Sequence, residues 1–504
     1  MRKALALVLV ASSVALWPSA AGAADSFTFF GSGWGHGLGM SQYGAFGLAE
    51  AGWTRGRILT HFYSGTKLVT DDQAPKNLRI GLVQGRAKVR VRALSGSVDL
   101  VLGDPKTGDV VATVPAGETW TVRIANQQYR ILDASGKQVG DDVGGSATNL
   151  YAVYVRSGAM VRVPEAGHTY NRGSIEFNVY SCDTTCKLRL ILNVDPEQYL
   201  YGLAEVPSSW PTAALQAQAV AARTYAFRKA EAGQHRPGCN CALYASALDQ
   251  VYAGWDKEGG LDGDRWVAAV DATASQVVTY KGDLIEAFYS SSSGGYTENN
   301  ENVWGGTPIP YLRGVCDPGD YTPDNPNAVW QVTLTAGAVT KKLGLGIGTV
   351  TGFTGIVRGV SGRIITVVVQ GENGSATVSG WELRSLLGLN DDRVWINVNR
   401  QVIGSIRQKY DEINCRPGLP TSRRVAVAGG ERQKVEQGTI YYKDGVGAHE
   451  LFGALLDFYI QKGGPQGALG FPTSDEAKLD NGATKATFEH GTIVCTAAGV
   501  CRVA

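Results

Sequence analysis

The chain has 504 residues, which predicts two or three domains, and 44% of these residues are hydrophobic, enough to form a buried core. Its formal net charge of +1 gives no electrostatic reason to bind nucleic acid or an acidic membrane, so neither is an expected partner. Glycine, at 65 residues, is about twice as frequent as usual, which predicts a protein rich in strands and turns.

Residues 1–23 have the composition of a secretory signal peptide. Arg2 and Lys3 precede an apolar run from Ala4 to Trp17, and the A-G-A sequence at 21–23 fits a cleavage site. The run of about 14 residues is shorter than the roughly 20 that a spanning helix needs, although a membrane anchor is the alternative interpretation. We therefore expect a secreted chain with no membrane span in its mature form.

The stretch GSGWGHGLGMSQYGA follows soon afterwards. Glycines alternate with larger residues between Gly33 and Met40, and such alternation leaves one face of a strand free for close packing. We expect this strand to form one wall of a site, with His36 and Gln42 among the residues that bind substrate. The alternative is a purely structural strand in which His36 is a packing residue.

The next segments change from strands to helices and back. Residues 77–190 contain short alternating runs that predict strands. Asp195 is a candidate N-cap with Pro196 at the first helical position, and an alanine-rich helix is predicted from Pro211 to Gly233. Strands are expected again from 265 to 400.

The C-terminal part contains an internal repeat. The polar residues 401–432 show little periodicity and are predicted to form a linker. Within residues 433–504, KVEQGTIYY resembles ATFEHGTIV, with an offset of 53 residues between Gly438 and Gly491. One full unit and the start of a second predict a small module built from repeats.

Eight cysteines, an even number in an exported chain, predict disulfide bonds. Two local pairs, Cys182–Cys186 and Cys495–Cys501, could each join the strands of a hairpin. The other four, at positions 239, 241, 316 and 415, have no assigned pairing. Zinc held by His235, Cys239 and Cys241 is the alternative, but a fourth ligand is not evident. We therefore expect no metal and no cofactor.

Glu205 is the candidate catalytic residue. It lies in a short predicted loop between two helices, beside Val206, Pro207 and Trp210. A carboxyl group with such neighbours loses hydration, so its pKa rises and it can act as a general acid near neutral pH. The alternative is an ordinary loop glutamate that caps the next helix.

Two other stretches, 243–255 and 287–304, combine small polar groups with aromatic rings. This is the composition expected of a saccharide cleft, although ordinary turns share it. The candidate substrate-binding residues, besides His36 and Gln42, are Gln218, Arg223, Gln250, Tyr252, Ser292, Ser293, Gly294, Gly295, Thr297 and Glu298. Glu298 and Asp249 are the only candidates for a second catalytic carboxylate.

The sequences GWGHGLGMSQYGA, NVDPEQYLYGLAEVPSSWP, YSSSSGGYTENNENVW and PYLRGV together resemble the SpoIID/LytB family, named for stage II sporulation protein D. The resemblance implies an α+β fold: a β-rich catalytic domain with a central alanine-rich helix. It implies one domain over 24–400, divided into the glycine-rich segment (24–70), a β-rich part (71–190) and the catalytic core with later strands (191–400).

Sporulation-type members of this family are lytic transglycosylases that act on peptidoglycan glycan strands, and others are described as amidase modifiers. Because LAEVPSSWP matches the family's P-x-E-M-P-x-x-W-P motif, the resemblance implies that Glu205 is catalytic. Leu203 and Val206 replace the proline and the methionine of that motif. The expected partners are therefore glycan strands and, in the alternative, a cell-wall amidase that a non-catalytic protein stimulates. A disulfide-rich adhesive protein is a third possibility.

Residues 433–504 resemble LGFP repeats, which occur on exported actinobacterial wall proteins. This resemblance implies a wall-binding module and a secreted protein associated with the cell wall.

Overall fold

The computed structural model describes residues 25–70, 74–155, 158–182 and 185–504. Within them the chain is an α+β protein with eight β-sheets and eleven α-helices. The predicted signal peptide lies outside the described residues. None of the described helices combines the length and the hydrophobicity that crossing a membrane requires.

The first part of the chain is mostly strands, with two helices near its start. These elements are β1 (Ser26–Gly31), β2 (Met40–Ser41), α1 (Gln42–Glu50), α2 (Arg55–Phe62), β3 (Lys67–Thr70), β4 (Leu78–Arg86), β5 (Lys88–Ser95), β6 (Val98–Leu102), β7 (Asp109–Val114), β8 (Thr119–Ala125), β9 (Gln128–Leu132), β10 (Leu150–Val153), β11 (Met160–Val163), β12 (His168–Tyr170), β13 (Ser174–Ser181) and β14 (Lys187–Val194).

The middle of the chain contains the long helix and several short elements. They are α3 (Pro196–Tyr201), α4 (Thr212–Ala232), β15 (Leu243–Tyr244), α5 (Trp255–Glu258), α6 (Gly263–Asp271), β16 (Gln276–Tyr280), β17 (Asp283–Leu284), β18 (Tyr289–Ser290) and α7 (Asn300–Trp304).

A smaller α+β unit follows, and after it the C-terminal module. The elements are β19 (Trp330–Thr335), α8 (Ala336–Leu343), β20 (Val350–Arg358), β21 (Ile364–Gly371), β22 (Gly374–Ser379), α9 (Gly380–Leu387), β23 (Val394–Ile396), α10 (Gly404–Glu412), β24 (Val425–Val427), β25 (Gly430–Val435), β26 (Gly438–Lys443), β27 (Gly447–Phe452), α11 (Gly453–Gln461), β28 (Ala477–Lys478), β29 (Thr484–Phe488), β30 (Gly491–Cys495) and β31 (Cys501–Val503).

A seven-stranded sheet in the order β15-β4-β14-β13-β10-β6-β7 and a five-stranded sheet in the order β12-β11-β5-β8-β9 build the β-rich part. In β5 buried and exposed residues alternate, as the period of a strand requires. The inward residues of both sheets share one hydrophobic core with the helices around α4. This core supports the loop between α3 and α4.

The helix predictions in this region are confirmed. Asp195 caps α3 by accepting hydrogen bonds from the N–H groups of Glu197 and Gln198. α4 begins directly after Pro211 and ends at Ala232, with Gly233 as its C-cap. Because most of α4 is buried and its alanines are small, α1, α2, α3 and α6 all pack closely against it.

The glycine-rich segment differs from the predicted strand. Most of residues 32–39 form an irregular loop, in which Gly33, Gly35, Gly37 and Gly39 all have positive φ angles between 65° and 134°. The expected close packing is present: a Cβ at Gly37 would lie 2.2 Å from Cζ of Arg363. Glycine is therefore needed both for the backbone conformation and for the space.

The first strand pairs with late elements of the chain. β1 is the middle strand of a sheet with β19 and β23, and β2 pairs in parallel with β18. The glycine-rich loop is thereby held between the smaller α+β unit and the serine-rich segment after β18.

The segment 401–432, predicted as a linker, contains α10 and β24. Tyr410 of α10 is only 2% exposed and packs in a small hydrophobic core with the Cys316–Cys415 disulfide. The sequence of α10 is mostly polar, and Ile406 and Tyr410 are its only buried apolar residues. The pattern of polar and apolar residues therefore did not predict this helix.

The C-terminal module has two similar units, which we name the first unit (404–452) and the second unit (453–503). Each begins with a helix of nine residues. In the first unit the Tyr410 hydroxyl donates to the carbonyl oxygen of Gly418 at 2.9 Å, and in the second Tyr459 donates to Gly470 at 2.6 Å. The strands that begin at Gly438 and Gly491 also correspond.

Four disulfide bonds are present, and they include both predicted local pairs, Cys182–Cys186 and Cys495–Cys501. The other two bonds join Cys239 to Cys241 and Cys316 to Cys415.

Candidate active site

Glu205 lies in the loop between α3 and α4, where two hydrogen bonds fix it to residue 251. The backbone N–H of Val251 donates to Glu205 Oε1 at 2.6 Å, and the N–H of Ala204 donates to the carbonyl oxygen of Val251 at 2.9 Å. A carboxyl oxygen held by a backbone group has a defined orientation.

The pKa of Glu205 is raised to about 7. Burial is the largest cause, because it disfavours the charged carboxylate. Hydrogen bonds from the Val251 N–H, the Tyr289 hydroxyl and the Gln42 side chain lower the pKa, but they do not offset burial. This carboxyl can therefore both donate and accept a proton near neutral pH.

Gln42, the first residue of α1, connects the glycine-rich segment to Glu205. Its Nε2 donates to Gln218 Oε1 at 3.3 Å and to the carbonyl oxygen of Glu205 at 3.5 Å. Gln218, on α4, is only 2% exposed, and its own Nε2 has no hydrogen-bond partner among the described residues. The structure thus brings Gln42, Gln218 and Glu205 together.

Tyr289, on β18, is a site residue that the sequence analysis missed. Gln250 Nε2 donates to its hydroxyl at 3.0 Å, and Gln250 Oε1 accepts from Tyr199 at 3.0 Å. The predicted residue Gln250 is itself fully buried. Its hydrogen bond fixes the position of the Tyr289 hydroxyl.

A rim of aromatic rings continues from Tyr289. Phe288 lies with its ring centroid 4.9 Å from that of Trp304, and His36 lies 5.0 Å from Trp304. Trp304 is 47% exposed and Trp34, on the same glycine-rich loop as His36, is 50% exposed. These two tryptophans give the rim an exposed apolar surface.

His36 is neutral in this setting. Its Nδ1 accepts a hydrogen bond from the N–H of Leu38 at 3.0 Å. Burial and the cations Arg384 and Arg363 lower its pKa to about 3. The ring therefore carries no charge at neutral pH, and with Nδ1 accepting from Leu38 its proton is on Nε2, which bonds to the backbone of Tyr289.

The predicted residues of the serine-rich segment lie beneath this rim. Their side chains or backbone are buried and bonded within the protein: Ser292, Ser293, Gly294, Gly295, Thr297 and Glu298. Glu298, for example, accepts from Ser361 Oγ at 2.6 Å and from the Ser361 N–H at 3.1 Å. In this structure these groups support the rim and do not form its surface.

Arg223 and Tyr252 also lie away from the rim. Arg223 is fully buried and forms two hydrogen bonds with the carboxylate of Glu197, at 2.8 and 2.7 Å. Tyr252 stacks on Tyr199 with ring centroids 5.0 Å apart. Sequence spacing alone did not distinguish these packing positions from exposed ones.

Two cations hold the loop that carries Glu205. Lys257 Nζ donates to the carbonyl oxygen of Val206 at 2.6 Å, and burial lowers the pKa of this lysine to about 8. Arg265 donates to the carbonyl oxygens of Ser209 and Trp210 at 3.0 and 2.9 Å. The sequence offered no signal for this clamp, because both cations lie about fifty positions away.

The residues considered as zinc ligands have other partners. Cys239 and Cys241 form a disulfide, and His235 Nδ1 hydrogen-bonds Asn240 Oδ1 at 2.7 Å. Among the described residues one further group could offer metal ligands, Cys316, Asp411 and Cys415, but its two sulfurs are joined to each other.

Comparison with known proteins finds two family models that match parts of this chain. Residues 184–280 match the family model described as "Stage II sporulation protein" (SpoIID), and residues 418–467 match that of the LGFP repeat. Glu205, Gln218 and Gln250 lie within the first match.

Curated relatives agree with these matches. "Stage II sporulation protein D" of Bacillus subtilis (strain 168) is 33% identical over 214 residues, which cover 39% of this chain and 59% of that protein. Its counterpart in Bacillus amyloliquefaciens is 31% identical over 210 residues, covering 39% and 58%. The "Amidase enhancer" of Bacillus subtilis (strain 168) is 37% identical over 131 residues, covering 26% and 16%.

The chain thus aligns with less than two thirds of the length of these sporulation proteins. Residues 184–280 of this chain are therefore similar to the SpoIID family, and residues 418–467 are similar to the LGFP repeat.

Proposed function

We propose that the protein is a lytic transglycosylase that cleaves MurNAc–GlcNAc β-1,4 bonds of peptidoglycan glycan strands. The observation that carries this proposal is the Glu205 carboxyl, which is oriented by the Val251 N–H, has a pKa raised to about 7 and is contacted by Tyr289. Phe288, the neighbour of Tyr289, packs against the exposed Trp304. Similarity to stage II sporulation protein D supports a role at the cell wall.

In the proposed reaction, the protonated Glu205 carboxyl donates its proton to the glycosidic oxygen. The bond to C1 of MurNAc breaks with its electron pair on that oxygen, and an oxocarbenium-like centre forms at C1. The Glu205 carboxylate then accepts the proton of the C6 hydroxyl of the same sugar. That oxygen attacks C1, which gives a 1,6-anhydro end and restores the protonated enzyme.

A mechanism with one carboxyl suits this site, because the candidates for a second carboxylate are engaged. Asp249 accepts from Arg236 at 2.7 Å, from the Tyr225 hydroxyl at 3.0 Å and from the Tyr244 N–H at 2.8 Å. Glu298 is buried and bonded to Ser361. Simple hydrolysis more often uses two carboxyl groups, one of which activates water or forms a covalent intermediate.

The aromatic rim supports a saccharide substrate. Trp304 and Trp34 are exposed aromatic residues of the kind on which the C–H faces of sugars pack, and the neutral ring of His36 packs against Trp304. Gln42 and Gln218 would orient Glu205 and border the bound glycan.

We propose further that the chain is secreted and associated with the cell wall. Residues 1–23 would direct export, and the module that contains the LGFP repeat would bind the wall. Such binding would keep the Glu205 site close to its polymer.

Digestion of glycan strands stripped of stem peptides tests the activity. Mass spectrometry should detect anhydro ends with the wild type and none with Glu205→Gln, which keeps the volume but removes the acid. Glu50→Gln, at an exposed position on α1, is the matched control and should cleave like the wild type. Equal cleavage by Glu205→Gln would refute the catalytic role.

A non-catalytic protein that stimulates an amidase is the second candidate, favoured by the similarity to the amidase enhancer. In that case the wild type leaves the glycan strands intact but raises the rate at which an added cell-wall amidase releases stem peptides. Glu205→Gln should then stimulate as well as the wild type.

A further inference from the structure

The two units of the C-terminal module differ at the positions where the first unit contacts residues 295–317. When Gly404 and Tyr410 of the first unit are aligned with Gly453 and Tyr459 of the second, Arg407 corresponds to Leu456. The module therefore carries a buried cation at a place where its own second copy has a buried apolar residue.

The second difference is a cysteine. Cys415 lies three residues before Gly418, where the second unit has Gly467 three residues before Gly470. Cys415 forms its disulfide with Cys316, which lies outside the module. The two residues that are special to the first unit thus both reach the same place, the Cys316–Asp317 dipeptide.

Arg407 is enclosed at this place. Its Nη2 donates to the backbone carbonyl oxygen of Asp317 at 3.4 Å, and its Nε donates to Asp411 at 2.7 Å. A Cβ at Gly295 would lie 2.4 Å from Nη2 of Arg407, so the serine-rich segment has a glycine where the guanidinium needs space. The contact thus depends on Arg407 of α10 and on Gly295 of the serine-rich segment.

Asp317 and its neighbour Asp320 are buried carboxyls that hold the segments next to the candidate active site. Asp320 accepts from the hydroxyls of Ser41 and Ser292, both at 2.9 Å. Asp317 accepts from the Ser293 hydroxyl at 2.6 Å. The glycine-rich segment and the serine-rich segment are thus joined through this acidic pair.

Each joined segment carries a residue that contacts Glu205. Ser41 immediately precedes Gln42, and Ser292 follows Tyr289 by three positions. Gln42 and Tyr289 both hydrogen-bond Glu205. The pairing of β2 with β18, which aligns Ser290 with Ser41, links the two segments a second time.

We propose that the first unit of the C-terminal module is a structural part of the active site, with Arg407 and Asp320 as positioning residues for Gln42 and Tyr289. Arg407 forms its ion pair with Asp411, its charge also favours the ionised form of the nearby acidic pair, and the disulfide keeps α10 in place. The second unit lacks both special residues. The expected effect on catalysis rests on the proposed function, whereas the link between α10 and the segments that carry Gln42 and Tyr289 does not.

The test compares three variants in the full chain. Arg407→Leu introduces the residue type that the second unit has at this position, and Arg407→Lys keeps the charge. The control, Gln408→Leu, introduces leucine at the adjacent exposed position. Hydrogen exchange of residues 38–46 and 287–298 reports the coupling without any substrate. Cleavage of stem-free glycan strands gives kcat and KM.

We expect Arg407→Leu to speed exchange in these two segments by about tenfold or more and to lower kcat by about tenfold to a hundredfold, with little change in KM. Arg407→Lys should restore part of both effects, and Gln408→Leu should match the wild type. If Arg407→Leu behaves like Gln408→Leu in exchange and in kcat, the inference is wrong.

Two further outcomes are decisive. If the wild type does not cleave glycan, the proposed function fails, and the exchange data alone still decide the coupling. If Arg407→Leu unfolds globally, Asp320→Asn, which preserves volume, takes its place and should loosen the same two segments. Loosened segments with a wild-type kcat would refute the positioning role.

Discussion

The side-chain amide of Gln42 donates to the carbonyl oxygen of Glu205 at 3.5 Å, although the two residues are 163 positions apart. This contact brings the glycine-rich segment to the loop between α3 and α4. The same amide donates to Gln218 on α4, so one side chain joins the three segments that surround the carboxyl.

The activity should depend on pH through Glu205. A general acid must be protonated, and the pKa of Glu205 is raised to about 7, so kcat/KM should fall as pH rises through this value. Tyr289→Phe removes a hydrogen bond that lowers this pKa, so the descending limb should move to higher pH. Tyr225→Phe removes a hydroxyl that is bonded to Asp249, and it should leave the limb in place. If the pH at which kcat/KM falls is unchanged in Tyr289→Phe, the fall does not report the pKa of Glu205.

The raised pKa also predicts a cost in stability. Because the folded state holds the Glu205 proton more tightly than the unfolded chain, its contribution is complete below about pH 4.5 and is lost as pH rises to about 7. Glu205→Gln should therefore be more stable than the wild type at pH 8, by up to about 3 kcal/mol, and equal to it at pH 4. Thermal or urea unfolding at the two pH values measures this difference, and an equal difference at both would show that Glu205 is not titrating in this range.

Trp304 should contribute to binding and not to chemistry. Trp304→Ala removes an exposed ring face at the rim, so KM for glycan strands should rise severalfold, equivalent to about 1 kcal/mol, with kcat nearly unchanged. Tyr180→Ala is the control, since Tyr180 is an exposed aromatic residue at the end of β13 that contacts Arg189. Steady-state kinetics with both variants would reject the rim as a binding surface if their KM values agree.

Two glycines with similar φ angles separate backbone strain from lack of space. Gly37 has φ +70° and its Cβ would meet Arg363 at 2.2 Å, whereas Gly52 has φ +80° with no atom within 4 Å. Gly52→Ala should cost about 1 kcal/mol, the usual price of a left-handed alanine. Gly37→Ala should cost about 2–4 kcal/mol, because Arg363 must also move. If urea unfolding shows the same loss of stability for both variants, the residues around Gly37 make room for the added methyl group without cost.

Local chemistry made parts of this structure predictable. Asp195 and Pro196 fix the start of α3, and Pro211 and Gly233 bound α4, because caps and helix breakers act within a few residues. The apolar neighbours of Glu205 also indicated a raised pKa from the sequence alone.

Long-range contacts set the rest. Tyr289, Lys257 and Arg265 reach the Glu205 loop from distant segments, and no spacing in the sequence records this. The serine-rich segment has the composition of a saccharide cleft, yet Ser292 and Ser293 face the buried carboxyls of Asp317 and Asp320. Composition therefore indicated the region of the site but not which side chains face solvent.

Cleavage of stem-free glycan strands in water enriched in heavy oxygen tests the central proposal most directly. If Glu205 acts alone and the C6 hydroxyl attacks C1, the new ends are anhydro sugars that carry no heavy oxygen. Glu205→Gln should form none of them. Reducing ends that contain heavy oxygen would show hydrolysis by water and would contradict the mechanism with one carboxyl.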